Sequence, residues 1–119
     1  MTTTHLTISL DGITLLPRGH IGTIKSYLEM PARPAKARQA ALAGLELCRL
    51  TGADEARYTA IFRTLGTRWL WWSRLMLTPA ARAAILDDPA VEAYAVVTGG
   101  GDIGLVELDF RLGEAPDLA

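Results

Sequence analysis

VEAYAVVTGGGDIGLVELDFRL, residues Val91 to Leu112, reads as two β-strands folded back on each other around glycine. Val91 to Thr98 and Ile103 to Leu112 are rich in β-branched and apolar residues, and Gly99-Gly100-Gly101-Asp102 between them is turn sequence. In the second run Gly104, Val106, Leu108, Phe110 and Leu112 share one face, expected to be the core face. Ile103, Leu105, Glu107, Asp109 and Arg111 share the other, which places both carboxylates on the side away from the core.

Upstream, Thr78-Pro79 supplies an N-cap and an N1 proline for a helix that turns Ala81, Ala84, Ile85 and Leu86 inward and stops before Pro89. Earlier still, Tyr58, Ile61, Phe62 and Leu65 recur at i, i+3, i+4 and i+7, one face of another helix. Thr51-Gly52-Ala53-Asp54 resembles a capping-box start for it, and Gly66 reads as its C-cap. Leu45 to Leu50 reads as a short strand with Leu45 and Leu47 on one side and Cys48 as a small core hydrophobe. Strand, helix, helix, hairpin predicts a mixed α+β fold with a mainly antiparallel sheet.

The N-terminal third adds strand signals of its own. Leu6, Ile8 and Leu10 alternate ahead of Asp11-Gly12, and Ile13 and Leu15 follow, which predicts a β-hairpin over residues 5–16 with a type I′ turn. Leu16-Pro17-Arg18-Gly19 reads as a second turn, and His20 to Met30 as an extended strand. Pro31 to Ala41 holds two prolines and three cations without an apolar period. The expected layout is therefore a hairpin and extended strand over 1–34, a linker over 35–41, and the main domain over 42–119.

Composition narrows the function classes. With 50% hydrophobic and 21% charged residues in 119, the chain can bury a core and is not a disordered segment. Twelve Lys+Arg against 13 Asp+Glu give a net charge of −1, without the basic footprint of a nucleic-acid binder. The single cysteine excludes an internal disulfide, and His5 and His20 stand apart from carboxylates at ligand spacing, so no metal site is expected. No apolar run approaches the roughly 18 residues of a membrane span, and MTTTHLTISLDG lacks the pattern of a secretory signal. A cytoplasmic protein with neither membrane nor nucleic acid as partner is expected.

Gly99-x-Gly101-x-x-Gly104 matches the dinucleotide-binding pattern letter by letter, but that pattern works between a strand and a helix, and here a strand follows. Arg63-Thr64-Leu65-Gly66-Thr67-Arg68 is close to an R-x-x-G-x-G phosphate loop, yet it stands at a helix end and finishes on a bulky arginine. Neither assigns a cofactor-binding residue. Trp69, Trp71 and Trp72 carry all the tryptophan, and three indoles in four positions cannot all face one core. They pack the loop between the two helices or wall a substrate pocket, with Arg68 and Arg74 as its polar groups. Glu107 and Asp109 are candidate general bases if their face lines a cleft; a solvated strand face is the alternative.

Several pieces, taken in order, resemble one family. They are YLEM-x-A-R-P (Tyr27 to Pro34), GLELCRL (Gly44 to Leu50), GTRWLWWSRLMLT (Gly66 to Thr78), AAILDDPAVE (Ala83 to Glu92) and IGLVELDFR (Ile103 to Arg111). Over residues 24–119 the chain is similar to the N-terminal half of GNAT-superfamily N-acetyltransferases. That implies the first half of an acyl-CoA N-acyltransferase fold (strand 1, helices 1 and 2, strands 2 and 3), here preceded by a β-hairpin.

The resemblance also implies chemistry: acetyl transfer from acetyl-CoA to an amine. The loop between helices 1 and 2 walls the acceptor pocket in that family, which makes Arg68, Trp69, Trp71, Trp72 and Arg74 the substrate-binding residues here. Glu107 and Asp109 become the catalytic candidates, drawing a proton from the amine through water. Acetyl-CoA is gripped by strand 4 and by a Q/R-x-x-G-x-G/A turn opening helix 3, and no such turn follows Leu112. Binding of acetyl-CoA to this chain alone is therefore not expected, nor is activity without a C-terminal half. Val106, Leu108 and Phe110 need cover and the last strand has an open edge, so a second copy or a separate C-terminal half is the expected partner. The alternative function is a non-enzymatic interaction or dimerisation module with the tryptophan loop as its aromatic anchor.

Overall fold

The computed structural model describes residues 8–9, 11–24, 26–32, 35, 44–112 and 117–118. The chain divides into two units, residues 1–35 and 36–119.

The second unit runs β1 (Glu46–Leu50), α1 (Glu55–Gly66), α2 (Pro79–Leu86), β2 (Val91–Thr98), β3 (Gly101–Asp109) and β4 (Asp117–Leu118). The strands pair antiparallel in the order β1-β2-β3-β4, so the fold is mixed α+β with two helices between the first two strands. Thr98 pairs with Gly101, leaving Gly99 (φ +55°) and Gly100 (φ +82°) as a two-residue turn. Positive φ at both positions is what a type I′ hairpin demands, and glycine meets it without steric cost.

Helix α1 starts through a 3₁₀ turn, Gly52–Asp54, where the Asp54 carboxylate accepts from the Thr51 N–H at 3.0 Å and from its hydroxyl at 3.1 Å. Tyr58, Ile61 and Phe62 are buried on the predicted face. Gly66 does not end the helix by a left-handed turn: its φ is −91°, and a 3₁₀ turn continues over Thr67–Trp69. At the start of α2 the Thr78 hydroxyl accepts from the Ala81 N–H at 3.2 Å, with Pro79 in the first turn. The inward face of α2 is Arg82 and Leu86, four residues apart, while Ala84 is exposed. Two residues rotate a helix by about 200°, so Ala84 and Arg82 cannot both point inward.

Leu50, Tyr58, Ile61, Phe62, Leu86, Ala93 and Ala95 form the core between helices and sheet, with Cys48, Leu65, Leu75, Val97 and Leu105 packed against it. On β1 it is Cys48 and Leu50 that turn to the helices. Leu45 precedes the strand, and Leu47 is 63% exposed on the opposite sheet face.

The predicted faces of β3 are exchanged. Val97 pairs with Asp102 but Val96 with Gly104, so Ile103 is an extra residue, a β-bulge. Continuing the hairpin register without it would set Val106 opposite Ala93, on the core side. The bulge instead sets Leu105 opposite Ala95, Glu107 opposite Ala93 and Asp109 opposite Val91. One inserted residue reverses the face of everything beyond it. Glu107 is thereby 6% exposed, on the helix side, and Val106 and Leu108 join Leu47, Tyr94 and Val96 on the other.

In the first unit no described residue lies in a strand, so neither the 5–16 hairpin nor the 20–30 strand forms among them. Leu6 and Leu10 lie outside the described residues, as do positions 36–41 of the expected linker. The turns survive locally: Gly12 has φ +89°, Gly19 has φ +81°, and the His20 N–H donates to the Pro17 carbonyl at 3.1 Å. Ile13 and Leu15 are almost fully exposed, and a two-stranded ribbon with no buried face is marginal in water. Among the described residues no helix is long and apolar enough to cross a membrane.

Candidate functional site

The loop between α1 and α2 is shaped by close packing at Gly66. A Cβ there would lie 2.5 Å from the Trp71 Cβ, so any side chain would push Trp71 away. Trp71 donates its N–H to the Gly66 carbonyl at 2.9 Å and packs its ring on Phe62, centroids 6.3 Å apart. The reversal needs a left-handed residue, and Leu70 takes it at φ +58°, at a cost of roughly 1–2 kcal/mol for a residue with a Cβ. A 3₁₀ turn, Ser73–Met76, then leads into the Thr78 cap.

Arg82 fastens this loop from below. It is 7% exposed; its Nε donates to Glu55 Oε1 at 2.6 Å, and its Nη1 to the carbonyls of Arg74 at 3.2 Å and Leu77 at 2.5 Å. Glu55 also accepts from the Thr59 hydroxyl at 2.8 Å, and both bonds hold its carboxyl below the usual range, the arginine foremost. A buried guanidinium with a carboxylate and two carbonyls is a satisfied one.

The side chain of Arg74 points onto β3. Its Nη2 donates to Glu107 Oε1 and stands 3.8 Å from Asp109 Oδ2. Tyr58, from α1, donates its hydroxyl to the other oxygen, Glu107 Oε2, at 2.8 Å. Burial foremost, and then the Glu107 charge, push the Tyr58 hydroxyl well above its ordinary pKa, so it stays protonated and donates. Asp109 takes Arg111 in a fork, Nε to Oδ1 at 2.8 Å and Nη2 to Oδ2 at 2.5 Å, which with the Arg111 N–H lowers its pKa to about 2.

Of the seven residues singled out from sequence, Arg74, Glu107 and Asp109 meet in one ion-paired cluster. Trp69, Trp71 and Trp72 are 64%, 50% and 55% exposed, and no ring contact joins them to one another. Arg68 lies over the Trp69 ring, 5.7 Å from its centroid. Tyr58, Arg82 and Arg111 escaped the sequence reading as site residues. Tyr58 was legible only as a core position, and Arg82 broke the apolar face expected of α2. A shallow groove of about 170 Å³ lined by Ala60, Ile61, Thr64, Leu65 and Asp102 lies elsewhere along α1.

The depressed Asp109 pKa sets an acid limit. A carboxyl whose pKa falls on folding stabilises the fold above its unfolded value, near 3.9, and loses that contribution as pH drops through the folded value. Stability is therefore expected to fall between about pH 4 and about pH 2. Asp109→Asn should flatten that part of the profile, as followed by urea denaturation at each pH; an unchanged slope would remove Asp109 as its source.

No family model matches this chain, and neither a curated protein nor a solved structure matches it.

Proposed function

We propose that residues 42–119 are the acceptor-side half of a GNAT-type N-acetyltransferase, acting on an amine with acetyl-CoA as donor in the cytoplasm. One observation carries the reading: the loop joining α1 to α2, which bears the three exposed indoles, delivers Arg74 onto Glu107 of β3. The element order and the β1-β2-β3-β4 sheet with β4 at its edge support the same family. On this reading Trp69, Trp71, Trp72, Arg68 and Arg74 shape the acceptor pocket. Glu107 draws the amine proton away through water, positioned by Tyr58 and Arg74. Asp109, with a pKa of about 2, is a weak base near neutral pH and serves to hold Arg74 and Arg111.

The described residues do not fit acetyl-CoA. Gly99 and Gly100 close an antiparallel hairpin and Arg63 to Arg68 finish a helix, so neither aims helix N–H groups at a pyrophosphate. The reading places the acetyl-CoA site outside the described residues. The test is to co-purify the chain with any polypeptide from its locus that carries the Q/R-x-x-G-x-G/A helix start, then measure thiol release from acetyl-CoA over a panel of amines. Amine-dependent release that drops in Glu107→Gln is expected. A stable complex with no release, or release indifferent to Glu107, overturns the reading.

One observation favours the second reading, an interaction module. Leu47, Val96, Val106 and Leu108 gather apolar surface on the sheet face opposite the helices. A dimer in light scattering that dissociates in Val106→Asp, with no acetyl transfer in any combination, would select it.

A further inference from the structure

We propose that Arg74 and Arg111 grip a carboxylate, so that the acceptor at this site is an amino acid or a similar amino-carboxylate rather than a simple amine. The amine half of that statement rests on the acetyltransferase reading; the carboxylate grip rests on the hydrogen-bond inventory alone.

Both carboxylates of the cluster are already occupied. Glu107 takes Arg74 on one oxygen and the Tyr58 hydroxyl on the other. Asp109 takes the Arg111 N–H and Nε on Oδ1, and Arg111 Nη2 with Arg74 Nη2 nearby on Oδ2. The guanidiniums are not. Each carries five N–H donors; Arg74 spends Nη2 on Glu107 and also engages the Tyr58 side chain, while Arg111 spends Nε and Nη2 on Asp109 and its Nη1 bonds no described residue. No buried side-chain nitrogen of Arg74 lacks a partner, and Arg111 is an exposed residue, so the remaining donors face solvent. Arg74 and Arg111 are 19% and 34% exposed and converge on the same Asp109 oxygen.

A cluster whose carboxylates are ion-paired and whose remaining N–H donors are open selects a ligand rich in acceptors. A planar guanidinium matches the two oxygens of a carboxylate, and the match is stronger where water is partly excluded. Two carboxylates against two guanidiniums leave the cluster without a net field to draw in a polycation. A zwitterion brings its own ammonium and disturbs that balance least, and the loop that carries Arg74 also carries the half-exposed indoles.

The test is equilibrium binding to the 119-residue chain at fixed ionic strength, read by tryptophan fluorescence. The ligands are L-phenylalanine, 3-phenylpropanoate, phenethylamine and inorganic phosphate. Phenylalanine and phenylpropanoate are expected to bind roughly tenfold or more tighter than phenethylamine, the loss of one charge-assisted contact. Arg111→Gln, at an exposed position, should weaken both carboxylates by a similar factor, and Arg74→Lys should do so while keeping a cation beside Glu107. Phenethylamine binding as well as phenylalanine, no binding by any carboxylate, or full affinity in Arg111→Gln would overturn the proposal, as would phosphate binding as tightly as phenylpropanoate. If phenylpropanoate binds and phenylalanine does not, the carboxylate grip stands and the amine-acceptor reading is what fails.

Discussion

Replacing Glu107 with leucine is expected to cost about 3–5 kcal/mol of folding stability, the usual penalty for removing one partner of a buried ion pair. Leucine fits the space and is more apolar, so packing alone would predict a gain. It leaves the Tyr58 hydroxyl, in a buried bond at 2.8 Å, with no acceptor, and the largely buried Arg74 without its hydrogen-bonded carboxylate, facing only Asp109 at 3.8 Å. Against a total stability of about 5–15 kcal/mol, this is a large fraction. Urea denaturation measures it. Glu107→Gln keeps one acceptor oxygen for Arg74 and turns its NH2 toward the Tyr58 oxygen, which can accept in place of donating, and should lose less. The combined variant Tyr58→Phe, Arg74→Met, Glu107→Leu should recover most of the loss, since a buried polar cluster replaced whole by apolar groups is often neutral or stabilising. A leucine variant with the unaltered urea midpoint would show that the cluster contributes nothing.

Arg82→Ala is expected to lose about 3 kcal/mol and, more tellingly, the defined conformation of the tryptophan loop. Alanine is the better helix former, so α2 itself should not suffer. What fails is the link between elements: Glu55 loses its cation, and the carbonyls of Arg74 and Leu77 lose a common donor. The near-ultraviolet circular dichroism of the indoles should collapse while the far-ultraviolet spectrum keeps its helix and strand content. Arg82→Lys should fall between, because one ammonium cannot reproduce the fork that serves a carboxylate and two carbonyls. Retention of the near-ultraviolet signal in Arg82→Ala would mean that Gly66, Trp71 and Leu70 set the loop unaided.

Much of the second unit was legible from local rules. Tyr58, Ile61 and Phe62 repeat with the helical period and are buried, Thr78-Pro79 caps α2, and Gly99 and Gly100 supply the two positive φ values of the hairpin. The candidate site was legible by residue and not by arrangement. Glu107, Asp109 and Arg74 were singled out, but the two carboxylates were placed on the far side of the sheet. α1 does end at Gly66, but the glycine is needed there for the approach of Trp71, and the left-handed turn falls on a leucine that no propensity would nominate.

Periodicity, caps and glycine turns act within a few residues, so strand and helix order, and the α+β class with it, follow from the amino-acid order directly. The side of the sheet that Glu107 occupies depends on one extra residue at Ile103, because both faces of β3 carry apolar groups and alternation cannot choose between them. Whether Arg82 is buried depends on finding Glu55 and two loop carbonyls from other elements. A charged group moves out of water only where its partners are already in place, and the carboxylate that pairs with Arg82 stands 27 residues back along the chain. The tertiary packing alone decided where the charges of this protein meet.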